Sequence, residues 1–128
     1  MGRMIESKFR VWSKHTKKMF HDGFYISQNG DLFQNDSLDY KSKDLYEVMQ
    51  YTGLKDSKGN EIYEGDIVKI SDHPFQGSID INGNYEVYHN EYMELSCGGW
   101  YLHRMRHWAE VIGNKYENNN LLKGADEE

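Results

Sequence analysis

The chain is predicted to be mainly β, a small barrel-like domain of short antiparallel strands with little helix. Three observations carry this. Aromatic residues make up 14% of the chain, with ten tyrosines and three tryptophans, and aromatic side chains favour the pleated, half-buried surface of a sheet. Apolar residues alternate with polar ones over short runs, and no long stretch shows the 3.6-residue period of an amphipathic helix. The runs are separated by glycine- and asparagine-bearing turns, the pattern of a barrel or sandwich.

The elements follow in order. Ile5, Ser7, Phe9 and Val11 share one parity and Lys8 and Arg10 the other, so Met4–Trp12 reads as a half-buried strand, returning at Met19-Phe20 to make a hairpin over about 4–21. Phe24-Tyr25-Ile26 and Asp31-Leu32-Phe33 flank Asn29-Gly30, a strong hairpin dipeptide. Asn35–Asp44 reads as a loop and Leu45–Thr52 as a strand. Asp56-Ser57-Lys58-Gly59-Asn60 is a turn in which Gly59 can take positive φ. Glu61–Gly65 reads as an elbow of about one helical turn, and Asp66–Ile70 as a strand closed off by Pro74, the one proline. A further hairpin is expected from Gly77–Ile81 and Tyr85–Tyr88 around Asn82-Gly83-Asn84. Glu91–Leu95 reads as a strand, Gly98-Gly99 as a bend, Trp108–Ile112 as the last strand and Asn118–Lys123 as a helical turn. A length of 128 residues suits one domain with a modest core: a hairpin, a β-rich body over about 24–114 and a tail from 115 to 128.

Composition bounds the setting. No apolar run approaches the roughly 20 residues that span a bilayer, and Met1–Phe20 lacks the apolar centre and cleavage site of a secretory signal. The single Cys97 has no intrachain disulfide partner, so a cytoplasmic location is expected. The net charge of −6 hides an asymmetry. Residues 1–20 hold six Lys and Arg against one acid, a net +5, and residues 21–128 hold nine against twenty, a net −11. Lys8, Arg10, Trp12, Lys14, Lys17 and Lys18 form a candidate basic interaction patch, able to meet phosphate or the acidic surface of a neighbour. The plainer account is a solvated edge hairpin whose lysines discourage aggregation.

The constellations that could carry chemistry are weak. His103 and His107 lie four apart in H-R-M-R-H and would share a helix face, as zinc ligands can. A metalloprotease glutamate is missing between them, and Arg104 and Arg106 repel a cation. On a strand the two would lie about 13 Å apart at roughly 3.3 Å per residue, too far to share an ion. Cys97 beside Gly98-Gly99 could be a nucleophile, but a lone cysteine is more often a small buried hydrophobe. Glu64 and Asp66 could act as acid and base, but acids flanking a glycine in an elbow more often cap it through backbone N–H groups. Phosphate-cradling loops are absent. No catalytic, metal or cofactor site is expected, and the chain is read as a non-enzyme. Trp100, Arg104, Arg106 and Trp108 supply a second aromatic and basic grouping on which bases could stack, although the acidic remainder repels phosphate. The favoured reading is a protein-interaction or self-associating module, with nucleic-acid binding through the basic hairpin as the alternative.

The stretch Met49–Lys69, M-Q-Y-T-G-L-K-D-S-K-G-N-E-I-Y-E-G-D-I-V-K, resembles the central signature of the YopX family, small proteins of bacteriophages and prophages. Lys8–Trp12 with Lys17-Lys18-Met19 is similar to that family's opening. Glu110–Asn118, E-V-I-G-N-K-Y-E-N, with Leu121-Leu122, is similar to its closing. One departure is visible: the family commonly has proline after Y-E-N, where this chain has Asn119 and Asn120. The resemblance implies a phage or prophage setting and a structural signature of Gly53, Gly59, Glu64, Gly65, Asp66, Gly113 and Asn114, and it names no mechanism. A strand led by E-G-D-I-V-K also occurs in small SH3-like barrels, a likeness of pattern that carries no function by itself.

Overall fold

The computed structural model describes residues 8–34, 40–41, 44–74 and 81–122. The chain is mainly β, as expected, and it divides into two compact units, Met1–Gln50 and Tyr51–Glu128.

In the first unit, β1 (Phe9–Ser13) turns into β2 (Lys18–Phe20), pairing Val11 with Phe20 and Ser13 with Lys18. Ser13 sets the turn. Its carbonyl accepts the Lys17 N–H at 2.8 Å and its hydroxyl accepts the Thr16 N–H at 3.1 Å. β3 (Phe24–Ile26) and β4 (Leu32–Gln34) form the Asn29-Gly30 hairpin, with Gly30 at φ 87° donating to the Ser27 carbonyl. β5 (Tyr40–Lys41) pairs with β4. β6 (Tyr46–Lys55) crosses the boundary between units, and its first half, Tyr46–Gln50, pairs with β1. β1 is therefore flanked on both edges. The single-sided alternation read from the sequence fails here: Arg10, Val11, Trp12 and Ser13 are all buried. Ile5, Ser7 and the start of that strand, and the loop over 35–39 and 42–43, lie outside the described residues. Ring contacts join Phe20 to Phe24 at 5.5 Å, Phe24 to Tyr46 at 6.0 Å and Tyr25 to Phe33 at 5.3 Å.

In the second unit, the Tyr51–Lys55 half of β6 pairs with β7 (Glu61–Tyr63). The register slips between Tyr51 and Lys55. Gly53 takes φ 84° there, while the Thr52 hydroxyl donates to the Ile62 carbonyl at 2.7 Å and accepts the Leu54 N–H at 3.1 Å. This bulge carries the strand past Thr52, where the sequence suggested it would end. Glu61–Gly65 is not a helical turn: β7 occupies its first three residues and a tight turn follows. Next come β8 (Asp66–Ile70), β9 (Gly83–His89), β10 (Leu95–Cys97) and β11 (Trp100–Tyr101). After them stand a short helix α1 (Leu102–Met105), a 3-10 turn (Arg106–Trp108), β12 (Ala109–Asn114) and a 3-10 turn (Asn119–Leu122).

Five of these strands make one antiparallel sheet in the order β11-β10-β9-β8-β12, and the antiparallel sheet curls into a half-barrel. Its core is Ile62, Val68, Ile70, Val87, Cys97, Leu102 and Ala109, with Ile81 and Met105 beside them. Glu91–Leu95 is not a strand. Asn90 takes its backbone: its side-chain oxygen accepts the Tyr92 N–H at 2.8 Å and the Glu94 N–H at 3.0 Å, and its amide donates to Glu94 at 2.9 Å. β10 starts only at Leu95. Leu102–Trp108 is helical although the sequence shows no helix there, because the segment is too brief to display a period; Leu102 and Met105, three apart, are its buried residues. The expected strand Gly77–Ile81 lies outside the described residues up to 80, and Ile81 itself is not in a strand; Lys123 and the tail beyond also lie outside them.

Candidate functional site

The E-G-D turn is a knot of backbone bonds. Gly65 is buried at φ 86°, donates its N–H to the Val87 carbonyl at 2.9 Å and accepts the Lys115 N–H at 2.8 Å. Asp66, 2% exposed, accepts the Tyr63 N–H at 2.7 Å. Glu64 turns the other way and meets His89 Nδ1 through Oε2 at 2.5 Å. The two carboxylates therefore serve separate tasks, one closing the turn and the other holding the end of β9.

Asp56 accepts four hydrogen bonds. One oxygen accepts the Lys58 and Asn60 N–H groups at 2.9 and 2.8 Å, and the other accepts the Asn60 amide at 3.2 Å and the Val111 N–H at 2.8 Å. Burial works against its charge, but the bonds from Val111, Asn60 and Lys58 prevail and hold the carboxyl below its usual range. Gly59 closes this turn at φ 86°. Ser57 donates to the Ala109 carbonyl at 2.9 Å and Lys58 pairs with Glu110 at 3.3 Å, so the whole turn docks on β12.

Gly113 and Asn114 end β12. A Cβ on Gly113 would stand 2.5 Å from the Asn118 side-chain oxygen, which accepts the Asn114 N–H at 3.1 Å. Asn114 in turn accepts the Tyr116 and Glu117 N–H groups at 3.0 and 2.9 Å and donates to Glu117 at 2.8 Å. Every signature residue thus stands in a bulge, a turn or a strand end.

Cys97 is fully buried in β10, and burial pushes its thiol up to about 11. It is a neutral core side chain at pH 7. His103 and His107 are both exposed on the helical segment. Among the described residues, no three His, Cys, Asp or Glu side chains come together as a metal-holding group.

The recessed surface lies elsewhere. A cleft of about 570 Å³ has Ile81, Trp100 and Met105 as its apolar lining and His73, Gly99, Tyr101 and Arg104 around it. A second, of about 430 Å³, has Thr52, Leu54, Glu94, Leu95, His103 and Arg104 in its lining, again with Tyr101. Tyr101, 59% exposed, and Arg104 belong to both. His73 packs against Trp108 in a tilted ring contact, with centroids 4.5 Å apart. On the turn between β9 and β10, Tyr92 and Met93 are 74% and 76% exposed, and Met93 sits at φ 63°.

A family model described as YopX protein matches residues 8–123. The chain belongs to the YopX family. In fold the YopX chain is similar to protein EF1440 from Enterococcus faecalis, known from a crystal structure. That likeness has a TM-score of 0.64 and 24% identity, and it covers 94% of this chain and all of the other. No curated protein matches.

In this YopX chain the six basic-patch residues do not share one exposure. Arg10 and Trp12 are buried, Lys8 is half-buried, Lys14 pairs with Glu47 at 2.9 Å, and Lys17 and Lys18 are exposed at the turn. The second grouping divides as well. Trp100 and Arg104 line the larger cleft, Trp108 makes a tilted ring contact with His73, and Arg106 donates to the Lys55 carbonyl at 3.0 Å. Sequence reasoning missed His73, Ile81 and Tyr101. The mixed run from Trp100 to Met105 was the available signal.

Proposed function

We propose that this YopX chain is a non-enzymatic phage or prophage accessory protein that acts in the host bacterial cytoplasm by binding protein, either a second copy of itself or a partner. The observation that carries this reading is the turn from Asn90 to Glu94. It holds Tyr92 and Met93 in solvent while Asn90 locks the backbone from inside. Such a turn loses little freedom on binding, and Tyr and Met are among the residues enriched where proteins meet. The exposed Tyr101 adds a third large side chain in the same unit. The buried, protonated Cys97 and the separate tasks of Glu64 and Asp66 support the non-enzymatic part.

The test is light scattering over a concentration series, with affinity capture from host cells, for the parent chain and for a Tyr92→Ser/Met93→Ser variant. A parent assembly or a captured partner that the variant loses supports the reading. A parent that stays monomeric and retrieves no protein refutes it. The nucleic-acid alternative draws on the exposed Lys17 and Lys18. Labelled oligonucleotides at two salt concentrations decide it, because phosphate-driven binding weakens steeply with salt, and replacing Lys14, Lys17 and Lys18 with Glu must then abolish binding.

A further inference from the structure

The larger cleft combines features that the protein-binding reading leaves unused. Its volume of about 570 Å³ falls within the roughly 300–1,000 Å³ of small-molecule sites. Trp100, Ile81 and Met105 offer apolar and aromatic contact, which suits a flat ring. Among the described residues that line it there is no Lys, Asp or Glu, and their polar groups come from Arg104, His73 and Tyr101. Among the described residues, no hydrogen bond or ion pair engages the Arg104 guanidinium. Arg106, two residues on, is committed to the Lys55 carbonyl at 3.0 Å. The segment thus spends one arginine on the fold and leaves the other beside an aromatic recess. A guanidinium is a planar fork that matches carboxylate and phosphate oxygens and stays charged at any physiological pH.

We propose that this cleft binds a planar aromatic ring carrying an anionic group, with the ring against Trp100 and Met105 and the anion on Arg104. The chemistry is shared by two sources: the carboxylate of an aromatic residue at a peptide C-terminus, and the phosphate of a nucleotide. This goes beyond the protein-binding reading, and it holds whether or not the chain self-associates.

The experiment follows the indole N–H signals of the full chain by NMR, with Trp100→Phe identifying the Trp100 signal. The probes are N-acetyl-L-phenylalanine, adenosine 5′-monophosphate, benzyl alcohol and benzylamine. At least one anion is expected to shift the Trp100 signal saturably, with the neutral and cationic probes about tenfold weaker or more, the scale of one charge-assisted contact. The tighter anion identifies the source. Arg104→Gln, at an exposed position, should bring the anion down to the level of benzyl alcohol without lowering the thermal midpoint. No saturable Trp100 shift up to about 20 mM, a concentration that nearly fills a site with a Kd of about 1 mM, equal binding of anion and alcohol, or an unaltered Arg104→Gln variant would each overturn the proposal. Loss of protein binding in the Tyr92→Ser/Met93→Ser variant leaves these shifts in place, so the two readings fail separately.

Discussion

Replacing Asp56 with Ala removes an acceptor shared by its own turn and by β12. Four donors converge on its carboxylate, at 2.9, 2.8, 3.2 and 2.8 Å. Hydrogen bonds to a charged group contribute about 1.5–3 kcal/mol each when their donor has no alternative. Lys58 and Asn60 are exposed and recover water, so most of their share returns. Val111 is half-buried in β12, so its N–H recovers less. The expected loss is therefore about 2–4 kcal/mol, well short of the sum of four bonds. Urea denaturation measures it as a lower midpoint at unchanged slope. Asp56→Asn keeps the shape and one acceptor oxygen, and should fall between the parent and the alanine variant. The pH dependence supplies a sign. The folded carboxyl lies below its ordinary 3.8, so its contribution is whole above that value and disappears as pH falls through 3.8 toward the folded pKa. The gap between parent and Asp56→Ala should accordingly be constant near neutrality and narrow below about pH 4. A loss under about 1 kcal/mol, or a gap that widens in acid, would refute the account of Asp56 as a charged four-bond acceptor.

Three further outcomes follow from the same geometry. Gly65→Val forces a β-branched residue to φ 86° in a buried turn whose N–H and C=O are both engaged; the thermal midpoint should drop by the equivalent of about 2–4 kcal/mol, and a midpoint equal to the parent would contradict it. Gly113→Ala drives a Cβ to 2.5 Å from the Asn118 oxygen; a cost of about 1–2 kcal/mol is expected, and Asn118→Gly in the same chain should recover part of it, a coupling that a double-mutant cycle reads directly. Cys97, fully buried with its thiol pushed up to about 11, should resist alkylation at pH 7.5 in the native protein and react at once in denaturant, whereas fast native labelling would show the thiol to be accessible.

Local chemistry was readable from the sequence; long-range partnership was not. Asn29-Gly30, the Asp56–Asn60 turn and the strand Asp66–Ile70 announce themselves within a few residues, and they stand where the pattern put them. The positive φ of Gly65 was inferable for the same reason. Arg10 was misplaced because alternation separates a strand's two faces and cannot show that both of them are covered, as the burial of Arg10 through Ser13 requires. Glu91–Leu95 was misread because its tyrosine and methionine mimic a strand, while a single asparagine side chain decides the backbone. The clefts were least visible of all, since Ile81 and Trp100, nineteen positions apart, come to line one recess only in the folded chain.

The Asp56 to Val111 bond joins residues 55 positions apart, and this has a kinetic consequence. Two of its donors, Lys58 and Asn60, are at hand as soon as the turn forms, whereas the third backbone donor arrives only after β12 has docked across a long closed loop. Contacts of that span gather late on the way to the native state, so weakening one chiefly hastens escape from it. Stopped-flow relaxation of Asp56→Ala should show a steeper rise in the unfolding rate than any fall in the refolding rate, making this carboxylate a latch on the finished molecule.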